Sequence, residues 1–362
     1  MQISHLSLTN FRSYSALEID LQTGNSIFIG ENGEGKTNII ESVIYLSLLE
    51  SHRVSTDQPL VKLGQERAYV RAKTESDDGR DLLVELEINP QRANRAQINK
   101  QPVRSQREIL GLVNTTHFSP EDLDLVRGDP SERRRFLDHL LIQNSPKYAG
   151  IIADYERAVR QRNSLLKTRA PKQSLEPWDE HLIDFGSHLI EGRLTLLGKL
   201  EPHLKDAYQR ISKKKEFSVT YRSAINNLST DRDSNREILR ERLREVSDSE
   251  RERGVTLAGP HRDDLDLKLD QNLVKGFASH GESWSAALAL KLSSYLLLCE
   301  EGKKPILILD DVFSELDQSR REQLTELAGT AAQTLITVAV ADDLPTNLTG
   351  ERFFVIEGRV TR

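Results

Sequence analysis

Apolar and polar residues alternate in Ile3-Ser4-His5-Leu6-Ser7-Leu8 and again in Ala16-Leu17-Glu18-Ile19-Asp20-Leu21, and a short apolar run, Ser26-Ile27-Phe28-Ile29, follows. These patterns predict three early strands. Ile39, Ile40, Val43, Ile44 and Leu48 then recur at helical spacing. Further strands are expected at 67–74, 82–88 and 96–98, making a mixed α/β lobe with an antiparallel patch. Ser119-Pro120-Glu121-Asp122 and Asp129-Pro130-Ser131-Glu132 each offer an N-cap oxygen, a proline at the first helical position and a carboxylate in the first turn. Those groups suit the orphan amides and the dipole of a helix start; Ser145-Pro146 suggests a third.

From 146 to about 212 the pattern is helical. Tyr148, Ile151, Ile152, Tyr155, Val159 and Leu166 form one stripe, and Leu182, Phe185, Leu189, Leu196, Leu200, Leu204 and Ile211 form another, with Pro171 and Pro177 between them. Two helices joined by a proline-bounded turn make an antiparallel hairpin, the second roughly 50 Å long at 1.5 Å per residue and able to project from a globular body. Phe217 to Tyr221 is strand-like, Ser234-Asn235-Arg236-Glu237 has the form of a capping box, and α/β character returns after about 253. The expected organisation is one α/β head, 1–130 with 251–362, interrupted by a mostly helical arm at 131–250 whose hairpin covers about 146–212.

With 362 residues, 37% hydrophobic and 29% charged, the chain can bury a sizeable core. Its start has no basic segment leading into an apolar stretch, and it has no window of about 18 uninterrupted apolar residues, so neither an export signal nor a membrane span is expected. The single cysteine, Cys299, permits no intramolecular disulfide and leaves zinc without thiolate partners; core packing in a reducing cytoplasm is expected. A net charge of −6 argues against a polyanion partner only as a whole-chain sum. Residues 131–216 hold 17 Lys and Arg against 12 Asp and Glu, a local +5 that leaves −11 elsewhere, so any polyanion surface must be local.

The chemistry starts at Gly30-Glu31-Asn32-Gly33-Glu34-Gly35-Lys36-Thr37, which matches a P-loop between a strand and a helix. In such a loop successive amides turn toward the α- and β-phosphates, Lys36 reaches the β- and γ-phosphates, and the Thr37 hydroxyl ligates Mg²⁺. The apolar run Ile306-Leu307-Ile308-Leu309 ends in Asp310-Asp311, where Asp310 would hold a Mg²⁺-bound water and Asp311 would orient or deprotonate the attacking water. The separation of these motifs exceeds what a compact GTPase or small kinase needs. Between them, Ala278-Ser279-His280-Gly281-Glu282 opens a helix expected at about 283–301, its hydroxyl, amides and dipole suited to a γ-phosphate.

In this order and spacing, 278–282 resembles the signature motif of the ABC ATPases, with Ser314-Glu315-Leu316-Asp317 as their D-loop. The resemblance implies a composite site in which ATP on one subunit's P-loop is capped by Ser279 and Gly281 of another. Asn10-Phe11-Arg12-Ser13-Tyr14, Ser51-His52-Arg53, Phe118-Ser119-Pro120-Glu121-Asp122-Leu123, Arg133-Arg134-Arg135-Phe136-Leu137-Asp138, Gly259-Pro260-His261-Arg262-Asp263-Asp264 and the stretch 310–317 narrow the likeness to the RecF recombination-mediator family, a relative of the SMC and Rad50 heads. That resemblance implies an ABC-type head of mixed parallel and antiparallel sheets with an inserted helical arm. It also implies an ATP-gated homodimer that binds duplex or gapped DNA without regard to sequence. With RecO-like and RecR-like partners such a dimer helps load the recombinase in gap repair, replication-linked repair and SOS induction. By the same likeness Arg12 and Ser13 would lie near the base and α-phosphate side of the nucleotide.

Three departures bear on activity. Ser283-Trp284 stand where the family commonly has Gln-Arg, no histidine follows the expected strand Thr334 to Val340, and His117 or Phe118 stands near the position of a transporter's Q-loop glutamine. Asp311 is also one methylene shorter than the usual glutamate base, so slow hydrolysis is expected. Arg133 to Arg135, Arg157, Arg160, Arg162, Lys167, Arg169 and Lys213 to Lys215 are candidates for phosphate contact, and His261 for structural hydrogen bonding. A Rad50- or SMC-like DNA-organising ATPase, a transporter-type subunit and a scaffold with a vestigial nucleotide site are the other readings of the same residues.

Overall fold

The computed structural model describes residues 2–75, 79, 81–212 and 215–362. In chain order, β1 (Gln2–Phe11), β2 (Tyr14–Asp20) and β3 (Gly24–Ile29) lead into α1 (Lys36–Leu48), followed by β4 (Ala68–Glu75), β5 (Asp81–Ile88), β6 (Arg95–Ile98), β7 (Gln101–Pro102) and β8 (Thr115–Phe118). Next come α2 (Leu123–Arg127), α3 (Pro130–Asn144), α4 (Tyr148–Lys167), α5 (Lys172–Ile211), β9 (Phe217–Arg222), α6 (Arg232–Arg253), β10 (Asp264–Leu269), β11 (Asn272–Leu273), the single turn α7 (Val274–Phe277) and α8 (His280–Glu300). The chain closes with β12 (Ile306–Asp310), α9 (Gln318–Thr330), β13 (Gln333–Val338), β14 (Glu351–Ile356) and β15 (Arg359–Thr361).

Two compact units emerge, one of Met1–Asp122 with Leu288–Arg362 and one of Leu123–Ala287. The second unit is wider than the expected arm at 131–250, because β9 pairs antiparallel with β10 from Leu269↔Phe217 to Asp264↔Arg222 and so ties residues beyond 250 to the helices. The first unit contains two six-stranded sheets: an antiparallel one, β2-β1-β4-β5-β6-β7, and one ordered β15-β14-β3-β13-β12-β8. In the latter, β14, β3, β13, β12 and β8 run parallel and only β15 is antiparallel. β12 reads as a continuous apolar run up to its terminal Asp310, as a strand covered on both faces does, and all of β12 and β13 is buried. One core, including Leu6, Phe28, Ile40, Val70, Leu86, Ile308 and Val355, holds α1 and both sheets together.

In the second unit α4 and α5 form the expected helix pair, and Tyr155, Leu166, Leu182, Leu189, Leu196, Leu200 and Leu204 are buried. The turn lies at 168–171, and Pro177 sits inside α5 rather than breaking it, so α5 has 40 residues and is about 60 Å long. Two helix starts also differ from the expectation. The box at 234–237 does not cap α6: Asp231 does, accepting from the Asp233 amide at 3.1 Å, while the buried Asn235 binds the Ser229 amide and carbonyl. Ser145 closes α3, and α4 begins at Tyr148 after a turn.

Buried ion pairs lace this unit. Arg133 donates to both oxygens of Asp264 (2.7 and 3.0 Å), Arg162 to Asp179 and Glu250 (2.6 Å each), and Arg193 to both oxygens of Asp138 (2.9 and 2.8 Å) and to the Pro260 carbonyl. His261 is wired as a neutral ring, Nδ1 2.6 Å from the Tyr155 hydroxyl and Nε2 3.3 Å from the Thr256 carbonyl. Burial, helped by Arg262, Arg134 and Arg162 and opposed by the Thr256 carbonyl, holds its pKa down to about 4. The unfolded chain therefore takes up the proton first as pH falls from 6.5, and stability present above that pH is lost toward pH 4, by up to about 3 kcal/mol. Urea melts at pH 7 and pH 4.5 should show His261→Gln losing less stability on acidification than wild type; equal losses would refute the assignment.

Candidate nucleotide-binding site

The P-loop hangs between β3 and α1 because its neighbours leave room only for glycine at two positions. A Cβ at Gly30 would lie 2.2 Å from the Val355 carbonyl oxygen of β14. Gly35, the residue before α1, has φ +113°, and a Cβ there would meet the Tyr14 hydroxyl at 2.7 Å. That hydroxyl donates to the Gly35 carbonyl at 3.1 Å. Lys36 is buried, its Nζ on the carbonyls of Gly30 (2.6 Å) and Glu31 (3.2 Å), inside the turn of the loop. Glu34 accepts a hydrogen bond from the Glu357 amide, which pins the loop to the turn after β14. Asn32 and Gly33 stand at the exposed crest.

β12 carries the acidic pair to the same place. Asp310 Oδ1 lies 3.5 Å from Thr37 Oγ1 and accepts a 2.5 Å bond from Thr337 of β13. Thr37 and Asp310 are hard oxygen donors side by side at the end of the phosphate loop, so these residues fit Mg²⁺, whose charge would offset that of the β- and γ-phosphates. Burial drives the Asp310 carboxyl upward, but His117, the Thr337 hydrogen bond and His52 outweigh it, and the group is held below the usual carboxylate range. Asp311 goes the other way, raised by burial and by Asp310, Asp343 and Glu121 against the pull of Lys36. Its backbone is left-handed, φ 50°, fixed by its amide bonding to Thr337. Raised proton affinity beside an anionic neighbour suits a base that handles the attacking water's proton.

Arg12 and Ser13, expected near the nucleotide, sit beside the P-loop, where a Cβ at Gly35 would lie 3.2 Å from Ser13 Oγ, and both also make contacts within the protein. The Arg12 guanidinium clamps Glu41 of α1 with Nε at 2.7 Å and Nη2 at 2.5 Å, and Nη1 donates to the Pro59 carbonyl. Glu41 is fully buried and also accepts from Ser51 (2.5 Å) and, at 3.5 Å, from Arg53. Ser13 accepts from Asn38, which in turn accepts from Arg53. One network thus joins Arg12, Ser13, Ser51 and Arg53 and fastens the β1–β2 turn to the first turns of the helix behind the P-loop.

Two histidines next to Asp310 were not anticipated as a pair. His117 Nε2 lies 3.9 Å from Asp310 Oδ2, and the His52 and His117 rings are 4.7 Å apart. Burial, with His117, pushes His52 down to about 3. His52, His117 and Asp310 offer donor atoms within 4.8 Å of one another, but nitrogen donors suit a borderline cation better than Mg²⁺. Lys291 of α8 ties this corner down, donating to the His117 carbonyl (2.8 Å) and pairing with Asp122 (2.9 Å). No sequence signal pointed to Thr337 or Lys291, and the stretch Ser51-His52-Arg53 gave no hint that His52 lies beside Asp310, since each acts across a long separation.

The second unit builds the signature. Ser279 and Glu282 form a reciprocal cap at the start of α8: the Glu282 amide donates to Ser279 Oγ (3.3 Å) and the Ser279 amide to Glu282 Oε2 (2.8 Å). α8 therefore starts at His280, three residues earlier than expected. Ser279 is exposed, Gly281 half-buried. Positive charge arrives without an arginine after the Gly-Glu: Arg127 of α2 reaches Ser283 at 3.0 Å and His280 at 3.4 Å, and Lys215 pairs with Glu282 at 2.8 Å. Lys215, then the Ser279 amide, hold Glu282 down to about 2. Among the candidate phosphate contacts, Arg133 and Arg162 are consumed by buried ion pairs and Arg134 binds the Asp263 carbonyl. Arg157, Lys167 and Arg169 are exposed; Lys213 and Lys214 lie outside the described residues.

A P-loop on β3, an acid-ended β12 two strands away in one parallel sheet, and a signature cap on α8 define an ABC-type ATP-binding head. The family model of the RecF/RecN/SMC N-terminal domain matches residues 2–348. A curated relative, the DNA replication and repair protein RecF of Streptomyces avermitilis, is 49% identical over the whole of both chains. The solved structure of a recombination mediator protein RecF-ATPrS in the RecFOR pathway superposes with a TM-score of 0.91 at 30% identity, covering 99% of this chain and 97% of that one. A RecF-ATP structure of the same pathway matches with a TM-score of 0.91 at 29% identity, with the same coverage. The chain belongs to the RecF family of DNA replication and repair proteins.

Proposed function

We propose that this protein is an ATP-gated, DNA-binding recombination mediator: ATP with Mg²⁺ joins two copies, the dimer grips duplex or gapped DNA, and slow hydrolysis releases it. The reading rests on one chain carrying Lys36 with Thr37 and Asp310 in the first unit and a capped, exposed Ser279 in the second, the two sets of groups a composite site needs. Phe277, 74% exposed two residues before Ser279, is a large apolar side chain left on the surface, as a face covered by a second copy would have. The RecFOR pathway named for the solved relatives supports RecO-like and RecR-like partners in gap repair and SOS induction. A cytoplasmic site of action goes with this role in DNA repair; no helix among the described residues is long and apolar enough to cross a membrane.

Molar mass measured by light scattering should rise from monomer to dimer on adding ATP and Mg²⁺, and Lys36→Ala or Ser279→Arg should each abolish the rise. A mixture of the two variants regains one intact composite site per pair, so ATP hydrolysis returns in the mixture, with turnover staying below about ten per second. A wild-type monomer in ATP, or no recovery on mixing, refutes the composite site.

A further inference from the structure

The antiparallel sheet of the first unit ends in a cleft of about 980 Å³ along β6, β7 and the loop that follows. Five arginines line it, Arg71, Arg92, Arg95, Arg104 and Arg107, against two carboxylates, Glu85 and Glu87. Both carboxylates are already engaged: Glu85 faces Arg71 in the strand register and binds it at 3.1 Å, and Glu87 binds Arg67 at 3.2 Å. Arg92, Arg95, Arg104 and Arg107 are all exposed, and among the described residues their guanidinium groups have no ion pair or hydrogen bond. Arg133, Arg162, Arg193, Arg222, Arg232, Arg236 and Arg240 each have a carboxylate partner, so four unpaired arginines lining one cleft are a local excess of positive charge.

The backbone that carries Arg95, Arg104 and Arg107 is shaped by tight turns. Asn99 and Lys100, with φ 51° and 64°, turn the β6–β7 hairpin tightly, and the edge strand β7 ends in Pro102. A capping box, Ser105 with Glu108, sets the short helical turn at Gln106–Ile109 that carries Arg107, and Arg104 precedes the cap. Like charges crowded without counter-charge repel one another, and a cluster of planar forks matches phosphate oxygens better than any neutral ligand.

We propose that this cleft is a contact surface for the phosphate backbone of duplex DNA, a residue-level assignment that rests on the DNA-binding reading above. Single-stranded DNA is disfavoured as the occupant because such sites stack bases on open aromatic rings. The cleft's only aromatic, Tyr69, is already covered by Arg71, 4.9 Å from its ring centre. The arginines contact a backbone, not base edges, so the grip is blind to sequence.

Anisotropy of a labelled duplex, titrated at several salt concentrations, tests the surface with the full-length protein in ATP and Mg²⁺. Arg92→Glu with Arg104→Glu should weaken retention at least tenfold and reduce the slope of log affinity against log salt by about 2, while ATP affinity is unchanged. The charge-matched Arg242→Glu with Arg244→Glu on α6 should leave the slope as it is. Affinity and slope unaltered by the cleft pair, or lowered equally by both pairs, would overturn the cleft while leaving DNA binding itself standing. Wild-type protein that retains no duplex would overturn both.

Discussion

Glu41→Ala lowers the free energy of unfolding by about 3–5 kcal/mol, read from urea melts at neutral pH. Glu41 is fully buried and receives Arg12 through two bonds, Ser51 through one and Arg53 at the rim. Removing the carboxylate strands the Arg12 guanidinium, only 15% exposed, with the Pro59 carbonyl as its remaining partner. The loss comes mainly from that uncompensated charge, so the double change Arg12→Met with Glu41→Met, which removes both ions and keeps much of the volume, should recover most of it. A loss below about 1 kcal/mol for Glu41→Ala would show that the network is not a structural anchor. The same melts separate anchoring from ligand contact: Arg12→Ala should cost stability whether or not ATP is present, whereas a residue acting only on nucleotide would show its effect only with ATP.

Lys36→Ala reduces ATP affinity at least a hundredfold, about 2.7 kcal/mol, in titrations with a fluorescent ATP analogue. The ammonium is the one cation in the bend of the loop, held on the carbonyls of Gly30 and Glu31, and it is 3% exposed. Nothing else in the loop replaces its charge: Glu31 and Glu34 are acidic, so without Lys36 the loop has only its amides to set against the phosphates. The change leaves the glycine contacts at Gly30 and Gly35 in place, so the unfolding free energy should move by no more than about 2 kcal/mol. Affinity within threefold of wild type would refute the phosphate role of Lys36.

Much of the site was legible because its motifs are local. A strand, a glycine-rich turn and a helix are contiguous from Gly24 to Leu48, and the pair Asp310-Asp311 ends an apolar run. Arg12 shows where that legibility stops. Its place beside the P-loop was suggested by the family pattern, but whether its guanidinium faces nucleotide or Glu41 depends on how β1, α1 and the segment at Pro59 pack. The helix starts teach the same lesson from the other side. Ser234-Asn235-Arg236-Glu237 has the composition of a capping box, yet Asp231 captures the first turn and Asn235 turns inward to hold Ser229. Ser279-His280-Gly281-Glu282 does form the reciprocal cap, because its Glu stands at the third helical position with Ser279 before the first. Basic residues were the hardest to judge, since Arg133 and Arg162 look no different in sequence from Arg92 and Arg104.

The sequence by itself determined the alternation of strands and helices, the phosphate loop, the acidic strand end and the helix-capping serine, because each is written in residues a few positions apart. Only the tertiary structure decided which charges are spent on one another and which remain for a partner. Arg162 meets Glu250 across 88 residues and Thr337 meets Asp310 across 27, whereas the arginines from 92 to 107 meet no carboxylate. Charge pairing depends on distances of a few ångströms set by packing, and chain spacing carries no record of them.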